Sequence, residues 1–212
     1  MYDLLMASPS TPPRVRTAGT MLAVVGALAD LALAAGLGVL RATNSQVGER
    51  RAEGHLPTLA LVIVLAAPGV AALLGVAIAR PVLFGAAGFA CFPLAVVSIA
   101  AVPIWLPAVL FLIAFVQASN TRPPAPLLGG IVLAGFTALL LVALRILITG
   151  NGQYTYSYPG GSEGGDYFLP SRATFCILIV VADLVLATAL ARLSPSPTRR
   201  SHDAANNTPA RP

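Results

Sequence analysis

Lysine is absent from this 212-residue chain, and charge of either sign is scarce: thirteen basic residues, all arginine, eight acidic ones, 10% charged in all. Soluble domains carry about 25% charged residues, which excludes an ordinary cytosolic enzyme. A hydrophobic content of 57% excludes a disordered, tail-like protein. Cysteine is nearly lacking too. Cys91 and Cys176 both fall inside apolar segments, where a free cysteine behaves as a small hydrophobe, and two are too few for a disulfide framework. No phosphate-binding loop, zinc-protease helix or closely spaced cysteine pair occurs, so no cofactor and no metal is expected.

What the chain has in quantity is long apolar runs, with a mean hydropathy of +0.82. A bilayer crossing takes about 20 apolar residues, and the runs divide into six: 17–40, 57–79, 82–101, 104–118, 127–149 and 173–193. The expected fold is all-α, a polytopic transmembrane helical bundle of six spans, with the lipid bilayer as its first partner. The first run exceeds the roughly 7–15 apolar residues of a cleaved signal peptide and holds Asp30 at its middle, so it reads as a retained span. As one helix, Val82 to Ala118 would be about 55 Å long, too long for a hydrocarbon core of about 30 Å. It must fold back. Val102-Pro103-Ile104-Trp105-Leu106-Pro107 supplies two prolines and the only tryptophan for a turn at the membrane interface.

The arginines cluster at the ends of these runs. With both termini inside, the cytoplasmic segments hold Arg14, Arg16, Arg80, Arg122, Arg192, Arg199, Arg200 and Arg211, and the outer ones hold Arg41, Arg50, Arg51 and Arg172. This asymmetry follows the positive-inside rule and explains a pI near 9.9 without nucleic acid. Arginine-only basic usage with abundant Ala, Gly and Pro is a bacterial, high-GC habit, so a bacterial plasma membrane is the expected location. Segment 1–16 is then a cytoplasmic lead-in, and 194–212 a disordered cytoplasmic tail whose arginines rest on anionic lipid.

Between spans, lipid provides no hydrophobic drive, so small residues must let backbones approach. Gly26, Asp30, Ala34 and Gly38 share one face of the first span, and Ala67, Ala71, Gly75 and Ala79 one face of the second. Pro68 and Pro93 sit mid-span and free the carbonyls of Val64 and Phe89. Such a break is ordinarily a kink satisfied by neighbouring helices, and in some transporters a cation site or hinge.

Three ionisable residues lie within spans: Asp30, Arg145 and Asp183. Each costs about 2.5–3.5 kcal/mol at the bilayer centre and is a functional candidate by default. Side chains lean toward a helix's N-terminus, which brings Arg145 on the fifth span and Asp183 on the sixth toward each other. An Arg145–Asp183 pair is therefore expected, against the alternative that Arg145 snorkels to the surface. Asp30 is left without a basic partner, as a candidate proton or cation site.

The outer loop 150–171 holds Tyr154, Tyr156 and Tyr158, alternating as in a short strand with one aromatic face. They suit an interfacial aromatic belt and are candidate contacts for a partner. Gly160-Gly161-Ser162-Glu163-Gly164 has the G-x-S-x-G spacing, but that nucleophile turn needs a strand before it and a helix after it; the match reads as chance. The expected function is a non-enzymatic accessory or interaction protein, meeting a membrane partner or itself through its small-residue faces or its outer loop. The alternative is a small proton- or cation-coupled transporter using Asp30 and the Arg145–Asp183 pair.

Overall fold

The computed structural model describes residues 13–44, 54–97, 105–119, 126–149 and 151–193. Expectations for segments 1–12, 45–53, 98–104, 120–125 and 194–212 lie outside the described residues; they include the Pro-rich link, the tail and most of the interfacial turn.

Every apolar run forms a helix: α1 (Pro13–Asn44), α2 (Leu56–Ala77), α3 (Val82–Val97), α4 (Trp105–Ser119), α5 (Pro126–Thr149) and α6 (Pro170–Leu193). Proline opens α1, α5 and α6 and follows the first residue of α2, positions where its missing N–H costs nothing. Arg41 and Arg192 stand in the last turns of α1 and α6, where a cation meets the negative end of the helix dipole. Four helices are long and apolar enough to cross a bilayer, over Ala18–Asn44, Leu56–Ala77, Leu127–Thr149 and Pro170–Leu193. α3 and α4 are apolar but shorter, 16 and 15 residues. The long apolar stretch from Val82 does divide in two, where the prolines and Trp105 stand; Trp105 packs edge-on against Phe92, ring centroids 5.1 Å apart.

The helices form two rows of three. α1, α2 and α6 stand side by side; α4, α3 and α5 back them in that order, so α2 and α3 occupy the centre. Position explains composition. α3 is apolar on every side, and nearly all of Val82–Leu94 is buried, as suits a helix enclosed by neighbours. The outer helices turn Val25, Leu28, Val109, Val116, Leu178 and Val185 outward, a surface suited to hydrocarbon and not to water.

Small residues set the helix spacing. Gly26 of α1 lies under Phe111 of α4, Gly75 of α2 under Phe84 of α3, and Gly88 of α3 under Leu112 of α4. Gly26, Asp30, Ala34 and Gly38 are all buried, as are Ala67, Ala71 and Gly75. Ala79 corrects the second stripe: it is exposed beyond the helix end, with φ 54°. Pro81 disfavours helical backbone at Arg80, so α2 closes two residues before Ala79. The Arg80 N–H donates to the Gly75 carbonyl and the Ala79 N–H to the Val76 carbonyl, which is a Schellman cap.

Loop 150–171 holds the one sheet among the described residues. β1 (Asn151–Tyr158) and β2 (Gly161–Phe168) pair antiparallel through a Pro159-Gly160 turn, with Gly160 at φ 103°, a backbone that favours glycine.

Candidate functional site

Among the described residues, the buried polar side chains are Asp30 and Asp183, 4% and 2% exposed. Asp30 reaches from α1 to the Pro68-Gly69 turn of α2. Pro68 has no N–H to donate and crowds the preceding turn; beside it, the Gly69 N–H donates to Asp30 Oδ2 at 2.8 Å. The approach depends on glycine, because a Cβ at residue 69 would lie 2.9 Å from Asp30 Oδ2 and 3.1 Å from the Ala27 carbonyl oxygen. From α3, the Cys91 thiol faces Asp30 Oδ1 with the sulfur 4.0 Å away. Alongside is a cavity of about 10 Å³ lined by Asp30, Leu33, Ala34, Leu37, Leu65 and Leu94, room for about one water.

Asp30 therefore faces protein, as expected of a charge amid small residues. Its partners are a backbone amide and a thiol, neither of which the sequence reading identified. One signal was available: Asp30 is ten residues from the Leu40 end of its run, and Gly69 twelve from the Pro57 end of the second, so in antiparallel neighbours the carboxyl and the Pro68-Gly69 turn share a level.

The Arg145–Asp183 pair does not form. Asp183 lies on the buried stripe of α6 with Ala173, Cys176, Val180, Ala187 and Ala191, facing α5 and α2. Arg145 is exposed on the opposite side of α5. The buried face of α5 runs through Val132, Phe136, Leu140, Ala143 and Leu147; Arg145 is two residues from both Ala143 and Leu147, about 200° round the helix from each. Depth and lean permitted the pair, and rotation about the axis forbids it. Asp183 Oδ2 is buried with no hydrogen-bond partner among the described residues.

At the other candidate, Tyr154, Tyr156 and Tyr158 do share a face of β1. Tyr154 is opposite Gly165, Tyr156 opposite Glu163 and Tyr158 opposite Gly161. The rings of Tyr154 and Tyr158 lie over those glycines, and Tyr167 of β2 lies over Gly152. Four tyrosines, three glycines and Glu163 thus make one face of the hairpin, with three of the rings packed over glycine backbone. Tyr158 is 47% exposed. The hairpin is anchored to α1 by Arg41, whose guanidinium carbon stands 4.4 Å from the Phe168 ring centroid. Ser162 is an exposed residue of β2 paired with Ser157, and no helix follows it directly, so the strand–turn–helix frame of a nucleophile elbow is not built there. No group of three or more His, Cys, Asp or Glu that would hold a metal occurs among the described residues.

Compared with known proteins, the chain matches no family model, no curated protein and no solved structure. The functional reading rests on the residues themselves.

Proposed function

We propose that this chain is an integral protein of a bacterial plasma membrane that crosses it six times, with both termini in the cytoplasm. It acts without catalysis, as an accessory protein that engages a membrane partner or a second copy through the hairpin between α5 and α6. Two contacts support alternating helix directions. Arg80, in the α2–α3 turn, donates to the Arg192 carbonyl at the end of α6, 3.3 Å; Arg41, at the end of α1, stacks on Phe168 of the hairpin. The arginine count then favours the Arg80 end as cytoplasmic.

The observation that carries the interaction reading is the hairpin's tyrosine face. The small-residue faces of α1 and α2 are occupied within the chain by α2, α3 and α4, which leaves the hairpin as the surface for another protein. Cross-strand packing has already ordered its rings, so little entropy is lost on binding, and tyrosine is enriched at binding hot spots. A photo-crosslinking amino acid in place of Tyr158 tests this in intact cells. We expect one discrete protein adduct, with none from the same probe at lipid-facing Val185. Lipid adducts alone from residue 158 would make the hairpin an interfacial belt and overturn the reading.

A second reading, a small proton-coupled carrier, is favoured by one finding: neither Asp30 nor Asp183 has a basic side chain beside it among the described residues.

A further inference from the structure

We infer that Asp30 and Asp183 are proton-binding carboxyls set at one depth on opposite flanks of α2. The inference is independent of the hairpin reading and rests on placement, partners and ligand chemistry.

Placement comes from the helix rows. α2 stands between α1, which carries Asp30, and α6, which carries Asp183. The Arg80 side chain bonds the Arg192 carbonyl, so the ends of α2 and α6 lie within an arginine's reach of each other. Counting back from the last helical residues, Gly69, the residue bonded to Asp30, is eight residues before Ala77, and Asp183 is ten before Leu193. At 1.5 Å per residue the two levels differ by about 3 Å.

Partners are the second observation. α2, α3 and α4, which enclose Asp30, contain no Asp, Glu, Lys, Arg or His within their ranges; Cys91 is the titratable group facing it. Of the elements around Asp183, α2 brings no charge, α3 brings Cys91 and α5 brings Arg145, which faces outward. On α6 itself Cys176 is buried seven residues away, and Arg172 and Arg192 are exposed toward its ends. Two carboxyls without a cation at hydrocarbon depth must be neutralised by an ion from solution.

Ligand chemistry selects the ion. Calcium takes six to eight oxygen ligands and magnesium six, far more than this site supplies. One Asp30 oxygen is already committed to the Gly69 N–H, and besides that carboxyl the cavity is walled by leucine and alanine. A proton needs one lone pair. Asp183 Oδ2, buried and unpartnered among the described residues, provides one. A proton from water adds to a carboxylate oxygen, forms an O–H bond and cancels the charge; release reverses the step with no electron transfer.

Infrared spectroscopy of the full chain in nanodiscs, with aspartate carboxyls labelled with carbon-13, tests this. The chain has five aspartates: Asp30 and Asp183 in helices, Asp166 in β2, and Asp3 and Asp203 in the polar end segments outside the described residues. At a pH where water-exposed carboxyls are ionised, two fifths of the labelled intensity is expected in the protonated-acid band. Asp30→Asn and Asp183→Asn should each remove half of that band. The wild-type spectrum alone decides the matter should either variant fail to fold. A band below two fifths, or one abolished by sodium or calcium at fixed pH, overturns the proposal.

Discussion

At the scale of single residues, the contact between α1 and α2 at mid-helix depends on the missing side chain of Gly69, as Gly38 admits Val62 nearer the helix end. A methyl at position 69 would meet Asp30 Oδ2 and the Ala27 carbonyl oxygen, and the second is backbone that cannot swing aside. Gly69→Ala should therefore lose roughly 1–3 kcal/mol through overpacking, read as thermal unfolding in detergent. Gly36→Ala is the control: nothing stands within 4 Å of its Cβ position, and alanine in a helix interior should gain about 0.5–1 kcal/mol. Equal stabilisation by both changes would mean that α1 and α2 do not touch at residue 69. Asp30 was legible in the sequence because a charge on a small-residue stripe has to face protein. Its partner was not, because a backbone N–H has no letter of its own.

At the scale of elements, the sequence states periodicity well and pairing poorly. Six apolar runs became six helices, with ends set by the proline starts and by Pro81 after α2. Alternating tyrosines became β1, although nothing in the glycine-rich segment 160–165 announced a partner strand; that strand exists because glycines give the rings of Tyr154 and Tyr158 a flat surface to cover. The Arg145–Asp183 expectation erred at this scale, since a helix has rotation as well as depth. Its correction is measurable with a double-mutant cycle. Arg145→Gln alone should change stability by no more than about 0.5 kcal/mol, as for an exposed site. Combined with Asp183→Asn, the effects should add within about 0.3–0.5 kcal/mol, as for residues that share no partner. A coupling above 1 kcal/mol, on the order expected of contacting charges, would restore the pair.

At the scale of the whole molecule, the two shorter helices, central α3 and flanking α4, decide how the bundle sits in a bilayer. α3 spans about 24 Å and α4 about 22 Å at 1.5 Å per residue, against a hydrocarbon core of about 30 Å. Six crossings require the α3–α4 link to emerge on the outer side; a re-entrant pair, leaving four crossings, would keep it from that surface. Cysteine labelling separates the two, because Cys91 and Cys176 are fully buried and stay silent toward a membrane-impermeant maleimide. Ser162→Cys in the hairpin should react in intact cells, and Ala79→Cys, exposed in the α2–α3 turn, only after permeabilisation. Those two positions are separated by three crossings in one arrangement and one in the other, so they fix orientation but not span number. Leu106→Cys, exposed at the start of α4, is the deciding site. Reaction from outside, matching Ser162→Cys, is the expected result and requires both short helices to cross, with flanking residues completing the hydrocarbon thickness. Protection from outside, with Ser162→Cys still reactive, would reduce the bundle to four crossings around a re-entrant core.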